Sequence, residues 1–150
     1  MAKQKDKQRR EDGLLIGDVK FVQKAVVFHP QNERFLILQR PSDHSMYQGQ
    51  WDLPGGKVEY GEPHLDGIRR EIVEETGLSV TKLEVACLDT FMNEPRGIYY
   101  IFAGYCCQAQ GDHVQLSVEH LAYQWVDAPY FLRLPSTPFL QKLVREVFEK

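Results

Sequence analysis

The sequence predicts one α/β (α+β) domain in which strands and helices form a sandwich-like arrangement. Three observations predict this class: 150 residues suffice for one domain, strand-like segments flank a central helical segment, and a second helical segment closes the chain. Charged residues make up 26 % of the chain and aromatic residues 11 %, which excludes the disordered and fibrous classes. We expect residues 13–150 to form the domain and residues 1–12 to form a basic, flexible tail.

The first predicted strands come from segments rich in branched and aromatic residues. Phe21–Phe28 and Arg34–Gln39 are predicted strands, and Pro30 marks the turn between them. After a polar stretch, Gly55 and Gly56 indicate a backbone that turns tightly or closely approaches another group.

The central helix is predicted by the spacing of its apolar residues. Leu65, Ile68 and Ile72 follow the i, i+3, i+7 pattern of one buried stripe. Pro63 suits the first helical position, and Gly77 suits the C-terminal cap. The pattern therefore predicts a helix over residues 63–76.

Further strands and one more helix follow this segment. The predicted strands are Leu83–Phe91, Ile98–Gln108 and Tyr123–Asp127, and a turn at residues 94–97 joins the first two. A last helix is predicted from Ser136, because the apolar residues after it recur at helical spacing.

The charge distribution constrains the partners. Residues 1–10 carry a net charge of +4 and residues 11–150 a net charge of −7. An acidic body does not favour binding to nucleic-acid backbones, although the basic start leaves a nucleic-acid-binding arm open as an alternative. The sequence shows no secretory signal, no apolar stretch long enough for a bilayer, and three cysteines without disulfide or zinc spacing. We therefore expect a cytoplasmic protein that does not bind membranes.

Three carboxylates share one side of the predicted helix. At 100° per residue, Glu71, Glu74 and Glu75 fall on one side, and Glu75 lies against the apolar stripe. Like charges at these spacings repel by about 0.2–0.5 kcal/mol per pair, and burying an unpartnered carboxylate costs more. A hard divalent cation, Mg²⁺ or Mn²⁺, would relieve both effects. A solvated acidic helix face is the alternative interpretation.

A longer pattern surrounds these carboxylates. Gly56 is followed after five residues by Glu62, and after seven more by the segment Arg-Glu-Ile-x-Glu-Glu-x-Gly-Leu at residues 70–78. This pattern resembles the 23-residue signature of the Nudix hydrolases without a departure. The resemblance extends over roughly residues 20–130, and Gly67 stands where the family commonly has alanine.

The resemblance implies a fold and a chemistry. The fold is an α/β/α sandwich with a mixed central sheet and a loop–helix–loop catalytic motif. Nudix hydrolases cleave a diphosphate linkage joined to a further moiety X, and they use Mg²⁺ or Mn²⁺ to do so. The cations neutralise phosphate charge and acidify a bound water, and a carboxylate takes the proton of that water.

The resemblance also implies roles for individual residues, grouped here by function. The expected catalytic residues are Glu71, Glu119 and Arg70. The expected metal ligands are Gly56, Glu71, Glu74 and Glu75. The expected substrate-binding residues are Arg40, Gly55 and Glu62. Glu62 and Arg70 are expected to form an ion pair that orients Glu71, and the base is Glu71 or, second, Glu119.

Several of these assignments have plainer alternatives. Arg40 suits a phosphate contact or a surface ion pair, and Glu119 is otherwise an exposed loop acid. Residues that flank the expected cleft and would hold X, or else belong to the core or rim, are Tyr47, Trp51, Phe91, Asn93 and Tyr99. The histidines expected to be ordinary surface residues are His44, His64 and His120.

The predicted function is therefore a metal-dependent hydrolase of nucleoside di- or triphosphates or related nucleotides, which releases a monophosphate by water attack on phosphorus. The small size resembles the nucleoside-triphosphate pyrophosphohydrolase branch. Alternatives are a pyrophosphatase of nucleotide sugars (ADP-ribose type) or dinucleoside polyphosphates, a non-catalytic nucleotide-binding regulator, and an isoprenoid-diphosphate isomerase. The expected partner is a small nucleotide or nucleoside diphosphate-X substrate, and a homodimer stays open as the oligomeric state.

Overall fold

A computed structural model gives the structure of the protein and describes residues 13, 15, 17–41 and 49–149. The predicted tail at residues 1–12, together with His44 and Tyr47, lies outside the described residues. The strands are β1 (Asp18–Phe28), β2 (Phe35–Gln39), β3 (Trp51–Asp52), β4 (Gly55–Lys57), β5 (Val80–Asn93), β6 (Ile98–Ala109) and β7 (Ala122–Val126). The helices are α1 (His64–Thr76), α2 (Ala128–Leu132) and α3 (Pro138–Phe148).

The strands of the described residues form one seven-stranded mixed sheet. Its order is β3-β2-β1-β6-β5, with β4 paired to β1 and β7 paired to β2. β1 and β6 run parallel, whereas the other pairs are antiparallel. β2 and β4 share one edge of β1: β2 pairs with it at Phe28, and β4 pairs with it at residues 22–24. β1 therefore has a different neighbour at each end of that edge.

Alternating residues of β1 and β2 build two cores, one on each face of the sheet. Ala25 and Leu36 pack with Ile68 and Ile72 of α1. Val26, on the other face, packs in a second core with residues of α2 and α3. Because side chains alternate across a strand, the sheet is buried between helical layers. This arrangement confirms the predicted α/β class.

The structure corrects some details of the predicted helices. Leu65 was expected in the buried stripe, but the residue is 38 % exposed in the first turn of α1, whereas Ile68 and Ile72 are buried. Pro63 is extended, with ψ of 138°, so the helix begins one residue later. Gly77 is the C-terminal cap in the left-handed conformation. The short helix α2 was not predicted.

None of the helices in the described ranges combines the length and the apolar content that crossing a bilayer requires.

Candidate active site

A cavity of about 1240 Å³ opens beside the divergence of β2 and β4 from β1. One part of its wall is acidic and polar, with Glu71, Glu75 and Glu119. Another part is aromatic, with Tyr100 and Phe102. Cations and a flat ring can therefore occupy the same cavity.

β4 brings the backbone to the carboxylates of α1. The N–H of Gly55 donates a hydrogen bond of 2.7 Å to Oε1 of Glu75. A Cβ atom on Gly56 would overlap the carboxylate of Glu71, so only glycine lets the strand pass so close to that carboxylate. Gly55 itself has φ of +149°, and a Cβ there would overlap the backbone of Gln23. The two glycines thus serve the close approach that the sequence indicated.

Glu75 is a buried carboxylate, as its position against the apolar stripe predicted. Its residue is 5 % exposed. Burial raises the pKa of Glu75 to about 8, although Lys24 and the Gly55 N–H act in the opposite direction. A carboxylate that is hard to ionise in isolation becomes a strong ligand when a cation supplies the missing positive charge.

Arg70 lies at the centre of a cluster of acidic side chains, which we call the Arg70 cluster (Glu59, Glu62, Arg70, Glu71 and Glu74). Nε and Nη2 of Arg70 donate hydrogen bonds of 2.7 and 3.1 Å to the two oxygens of Glu62. Its Nη1 donates to Glu71 at 3.1 Å and to Glu74 at 3.2 and 3.3 Å. The fork of the guanidinium therefore fixes three carboxylates at once.

The Arg70 cluster shifts the pKa values of its carboxyl groups differently. Hydrogen bonds from Arg70 lower the pKa of Glu62 to about 2. Partial burial raises the pKa of Glu71, and the Arg70 charge only partly offsets this rise. Glu71 is thus held in place by Arg70 and yet keeps an increased affinity for a proton.

Gly67 is explained by the layer beneath the Arg70 cluster. A Cβ at Gly67 would lie 2.9 Å from Oε1 of both Gln23 and Glu62. Nε2 of the buried Gln23 donates hydrogen bonds of 2.7 Å to the His64 carbonyl and to the Tyr105 hydroxyl. Glycine at this position leaves room for Gln23 and Glu62 in these arrangements.

A second charged group, the Asp52 triad (Lys24, Arg40 and Asp52), forms another part of the wall. Oδ2 of Asp52 lies 3.0 Å from Nζ of Lys24 and 2.9 Å from Nη2 of Arg40. Burial favours the neutral form of Asp52, but the two cations and the hydrogen bonds outweigh it, so its pKa is lowered. Arg40 therefore combines an ion pair to a buried aspartate with a place on the cavity wall.

The loop before β7 contributes Glu119 and His120, which we group with Glu75 as the Glu75 pocket (Glu75, Glu119 and His120). Glu119 is exposed at the cavity, and its charge helps to raise the pKa of Glu71. His120 was expected to be a surface residue, and this was wrong: its side chain is 5 % exposed. Burial lowers the pKa of His120. A lone loop histidine gives no sequence signal of this burial, which arises from tertiary packing.

The structure places the predicted site residues in two groups. Those lining the cavity are Arg40, Gly55, Gly56, Glu71, Glu75 and Glu119. Glu62, Arg70 and Glu74 are not among the described residues that line it; they form the layer behind Glu71. The side chain of Glu74 is 57 % exposed, so its role as a metal ligand stays a prediction.

The aromatic part of the wall belongs to adjacent strands and α3. Tyr100 stacks on Phe102 at a centroid distance of 5.5 Å, and Phe102 stacks on Phe139 of α3 at 4.9 Å. Phe91 lies opposite Tyr100 in the sheet register and is 56 % exposed. We call these four residues the aromatic wall (Phe91, Tyr100, Phe102 and Phe139). Tyr99 alternates to the other face of β6 and is not among the described lining residues.

The donor set fits a divalent cation. Glu75 and Glu119 each offer a carboxylate oxygen, and His120 offers a ring nitrogen; these atoms lie within 4.8 Å of one another. Nδ1 of His120 is buried and has no hydrogen-bond partner among the described residues. Buried polar atoms normally have partners, so an unpaired nitrogen beside two carboxylates is the arrangement that a cation would complete.

Comparison with known proteins decides the family. The family model described as the NUDIX domain matches residues 21–147. The chain belongs to the Nudix family. It is a Nudix-type pyrophosphohydrolase, and the resemblance seen in the signature is confirmed. The nucleoside triphosphatase NudI of Escherichia coli O17:K52:H18 is 31 % identical to it over 102 residues, which are 61 % of this chain and 72 % of that protein.

Solved Nudix structures share the fold. The MutT protein of Methanosarcina mazei Go1 is 28 % identical, with a TM-score of 0.72 over 91 % of this chain and 98 % of that one. The NUDIX domain of Shewanella oneidensis NrtR, crystallised with ADP ribose, has a TM-score of 0.72 at 19 % identity, over 99 % of this chain and 97 % of that one. The second likeness concerns the fold alone.

Proposed function

We propose that this Nudix hydrolase cleaves a diphosphate linkage in nucleoside triphosphates or diphosphates with Mg²⁺ or Mn²⁺, and releases a nucleoside monophosphate. One observation carries the proposal: a single cavity joins the buried carboxylate of Glu75 to the aromatic wall. The acidic part suits cations that bind phosphate, and the aromatic wall suits a nucleobase. The similarity to NudI, named a nucleoside triphosphatase, supports this substrate class.

The phosphate end would be organised by residues of β4, α1 and the loop before β7. Glu71, Glu75 and Glu119 would hold the cations, and the resemblance adds Glu74 and the Gly56 carbonyl. When bound, the cations neutralise the diphosphate and increase the acidity of a water. The Gly55 N–H keeps Glu75 oriented toward the cavity while that charge is in place.

Glu71 is the proposed general base, and Glu119 is the second candidate. Burial raises the affinity of Glu71 for a proton, which suits a base that must work near neutral pH. Arg70 donates to one oxygen of Glu71, and Glu62 in turn holds Arg70 by accepting two hydrogen bonds, from Nε and Nη2. A base with a restricted rotamer is aimed consistently at the water, so Arg70 and Glu62 act as positioning residues.

Arg40 is the proposed phosphate contact. Its Nη2 lies 2.9 Å from Oδ2 of the buried Asp52, and Arg40 forms part of the cavity wall. The planar guanidinium fork matches the geometry of phosphate oxygens, which suits this role. Asp52 would hold the Arg40 guanidinium at the cavity wall.

Larger nucleotides are the second candidate substrates. The cavity exceeds the volume of roughly 300–1,000 Å³ that is usual for small-molecule sites. Nucleotide sugars of the ADP-ribose type and dinucleoside polyphosphates carry a second group beyond the diphosphate that would use the extra volume.

A cytoplasmic location, a homodimer and the lack of a nucleic-acid partner stay predictions.

A product-resolved nucleotide screen tests the proposal. Nucleoside triphosphates, ADP-ribose and dinucleoside polyphosphates are incubated with Mg²⁺, Mn²⁺ or EDTA, and monophosphate, orthophosphate and pyrophosphate are quantified. We expect metal-dependent release of a monophosphate, with pyrophosphate from triphosphates. Hydrolysis that persists in excess EDTA, or no hydrolysis of any compound with either cation, would contradict the proposal.

A further inference from the structure

His120 has a buried ring nitrogen that the signature residues do not explain. Nδ1 lies 3.9 Å from Oε2 of Glu75, which is beyond hydrogen-bond distance. It has no hydrogen-bond partner among the described residues, although the side chain is only 5 % exposed. A nitrogen taken out of water without a partner is unfavourable, so this position calls for a ligand.

The surroundings of Nδ1 indicate the charge of that ligand. Oε2 of Glu75 lies 3.9 Å from Nδ1, and Glu119 also faces the pocket. The nearby cations Lys24 and Arg40 both pair with Oδ2 of Asp52, at 3.0 and 2.9 Å. A cation is therefore the occupant that the acidic groups favour.

The three donor atoms are spaced for one ion. The atoms of Glu75, Glu119 and His120 lie within 4.8 Å of one another. Oxygen and nitrogen ligands lie about 2.0–2.6 Å from divalent ions, so two ligands on opposite sides of one ion are roughly 4–5 Å apart. A neutral imidazole with its proton on Nε2 presents the Nδ1 lone pair to this space.

We propose that Nδ1 of His120 is a nitrogen ligand to the divalent cation held by Glu75 and Glu119, and that it gives this site a preference for Mn²⁺ over Mg²⁺. The proposal rests on the proposed metal-dependent function. Imidazole suits transition-metal ions, whereas Mg²⁺ takes oxygen ligands and retains water. An all-oxygen site would lack this source of discrimination.

A substitution can exchange the donor atom at nearly constant geometry. Asn carries its amide oxygen two bonds from Cβ, where His carries Nδ1, so His120→Asn replaces nitrogen by oxygen. His113→Asn is the matched control, because His113 is exposed in the loop before β7. Both variants and the wild type are titrated with Mn²⁺ and Mg²⁺ by calorimetry. The Mn²⁺ complexes are examined by electron spin-echo envelope modulation, which detects a nitrogen bound to the ion.

We expect a ¹⁴N modulation in the wild type and in His113→Asn, and its loss in His120→Asn. The Mn²⁺ affinity of His120→Asn should fall at least about tenfold, while its Mg²⁺ affinity changes by less than about threefold. Absence of the ¹⁴N modulation in the wild type, or its persistence in His120→Asn, overturns the proposal. If His120→Asn does not fold, the wild-type spectrum with ¹⁴N- and ¹⁵N-histidine decides, because a true nitrogen ligand changes its modulation frequencies.

The same samples separate this inference from the proposed function. Metal-dependent nucleotide hydrolysis without a ¹⁴N modulation would refute His120 as a ligand and leave the hydrolase proposal intact. A ¹⁴N modulation without hydrolysis of any nucleotide confirms the ligand and removes the proposed substrate class.

Discussion

The Arg70 cluster and the Glu75 pocket are built around two nearby residues of α1 but differ in how their charges are balanced. Arg70 donates hydrogen bonds to Glu62, Glu71 and Glu74, so each of these carboxylates contacts a cation. In the Glu75 pocket, Glu75 accepts a backbone N–H, and its oxygen lies 3.9 Å from an imidazole nitrogen.

The difference shows where the protein leaves an interaction to a ligand. The Arg70 cluster holds its carboxylates in fixed positions through an internal cation, and it presents Glu71 at the cavity wall. The Glu75 pocket combines a raised pKa at Glu75 with a His120 nitrogen that has no hydrogen-bond partner among the described residues. One group thus orders its carboxylates internally, and the other offers donor atoms that a bound cation can complete.

The largest effect is expected from removing the charge of the Glu75 pocket. Glu75→Gln keeps an oxygen that can accept the Gly55 N–H but removes a cation ligand. We expect kcat/KM to fall on the order of 10²–10³-fold, because electrostatic stabilisation of the transition state is lost. The melting temperature in EDTA should stay unchanged or rise, since the cost of burying the Glu75 carboxylate is removed. Glu33→Gln, an exposed control, should retain full activity; equal activity of Glu75→Gln would refute the metal assignment.

The Asp52 triad tests the opposite case, a buried charge that already has its partners. Asp52→Asn leaves Lys24 and Arg40 without their common anion, and removal of one partner from a buried ion pair costs about 3–5 kcal/mol. We expect the free energy of unfolding at pH 7 to fall by about this amount in urea titrations. A loss of less than about 1 kcal/mol would show that water already screens the triad.

The pH dependence of the same variant has a definite sign. The folded-state pKa of Asp52 lies below its ordinary value of 3.8, so the ionised side chain stabilises the fold above that pH. This contribution is lost as the pH falls through the lowered pKa. The stability difference between wild type and Asp52→Asn should therefore be constant above about pH 5 and shrink below pH 4. A difference that grows on acidification would contradict the assigned shift.

A smaller effect is expected from weakening the Arg70 cluster. Arg70→Lys retains the positive charge but loses the fork that contacts several carboxylates. We expect kcat/KM and Mn²⁺ affinity to fall about 10–100-fold, with only a small change in melting temperature because the cluster is partly exposed. Arg34→Lys is the exposed control. A large loss of stability with unchanged metal affinity would make Arg70 structural rather than positioning.

The smallest effect is expected from removing the basic N-terminal segment. Deletion of residues 1–10 removes a net charge of +4 that the proposed chemistry does not use. We expect the specific activity on the best nucleotide substrate to stay within about twofold, with the salt dependence of the rate also retained. A large loss of activity would mean that the basic segment contacts substrate or a partner.

Much of the fold was predictable because its signals are local. The helix over α1, the strands β1, β2, β6 and β7, and the last helix follow from periodicity and turn residues. Strands of two or three residues, such as β3 and β4, are too short to show a period. The helix α2 was missed because the predicted strand Tyr123–Asp127 included its N-terminal cap. Asp127 caps the helix by accepting a hydrogen bond from the N–H of Tyr130.

The candidate site likewise contains residues whose placement the sequence predicted and residues whose placement it did not. The burial of Glu75 was predictable from its angle on the helix, and the Arg70–Glu62 ion pair was implied by the resemblance to the Nudix signature. The burial of His120 depends on packing of a loop against Glu75, a residue 45 positions earlier in the chain. The position of Tyr99 depends on strand register: one residue decides which face it occupies.

The origin of the aromatic wall bears on how such an enzyme changes its substrates over time. Phe91, Tyr100 and Phe102 come from β5 and β6, while the acidic groups come from α1 and a loop. A new ring or sugar can therefore be accommodated by exchanging strand side chains, with the phosphate-handling groups left untouched. Selection can thus diversify recognition and preserve reactivity independently, within one small domain.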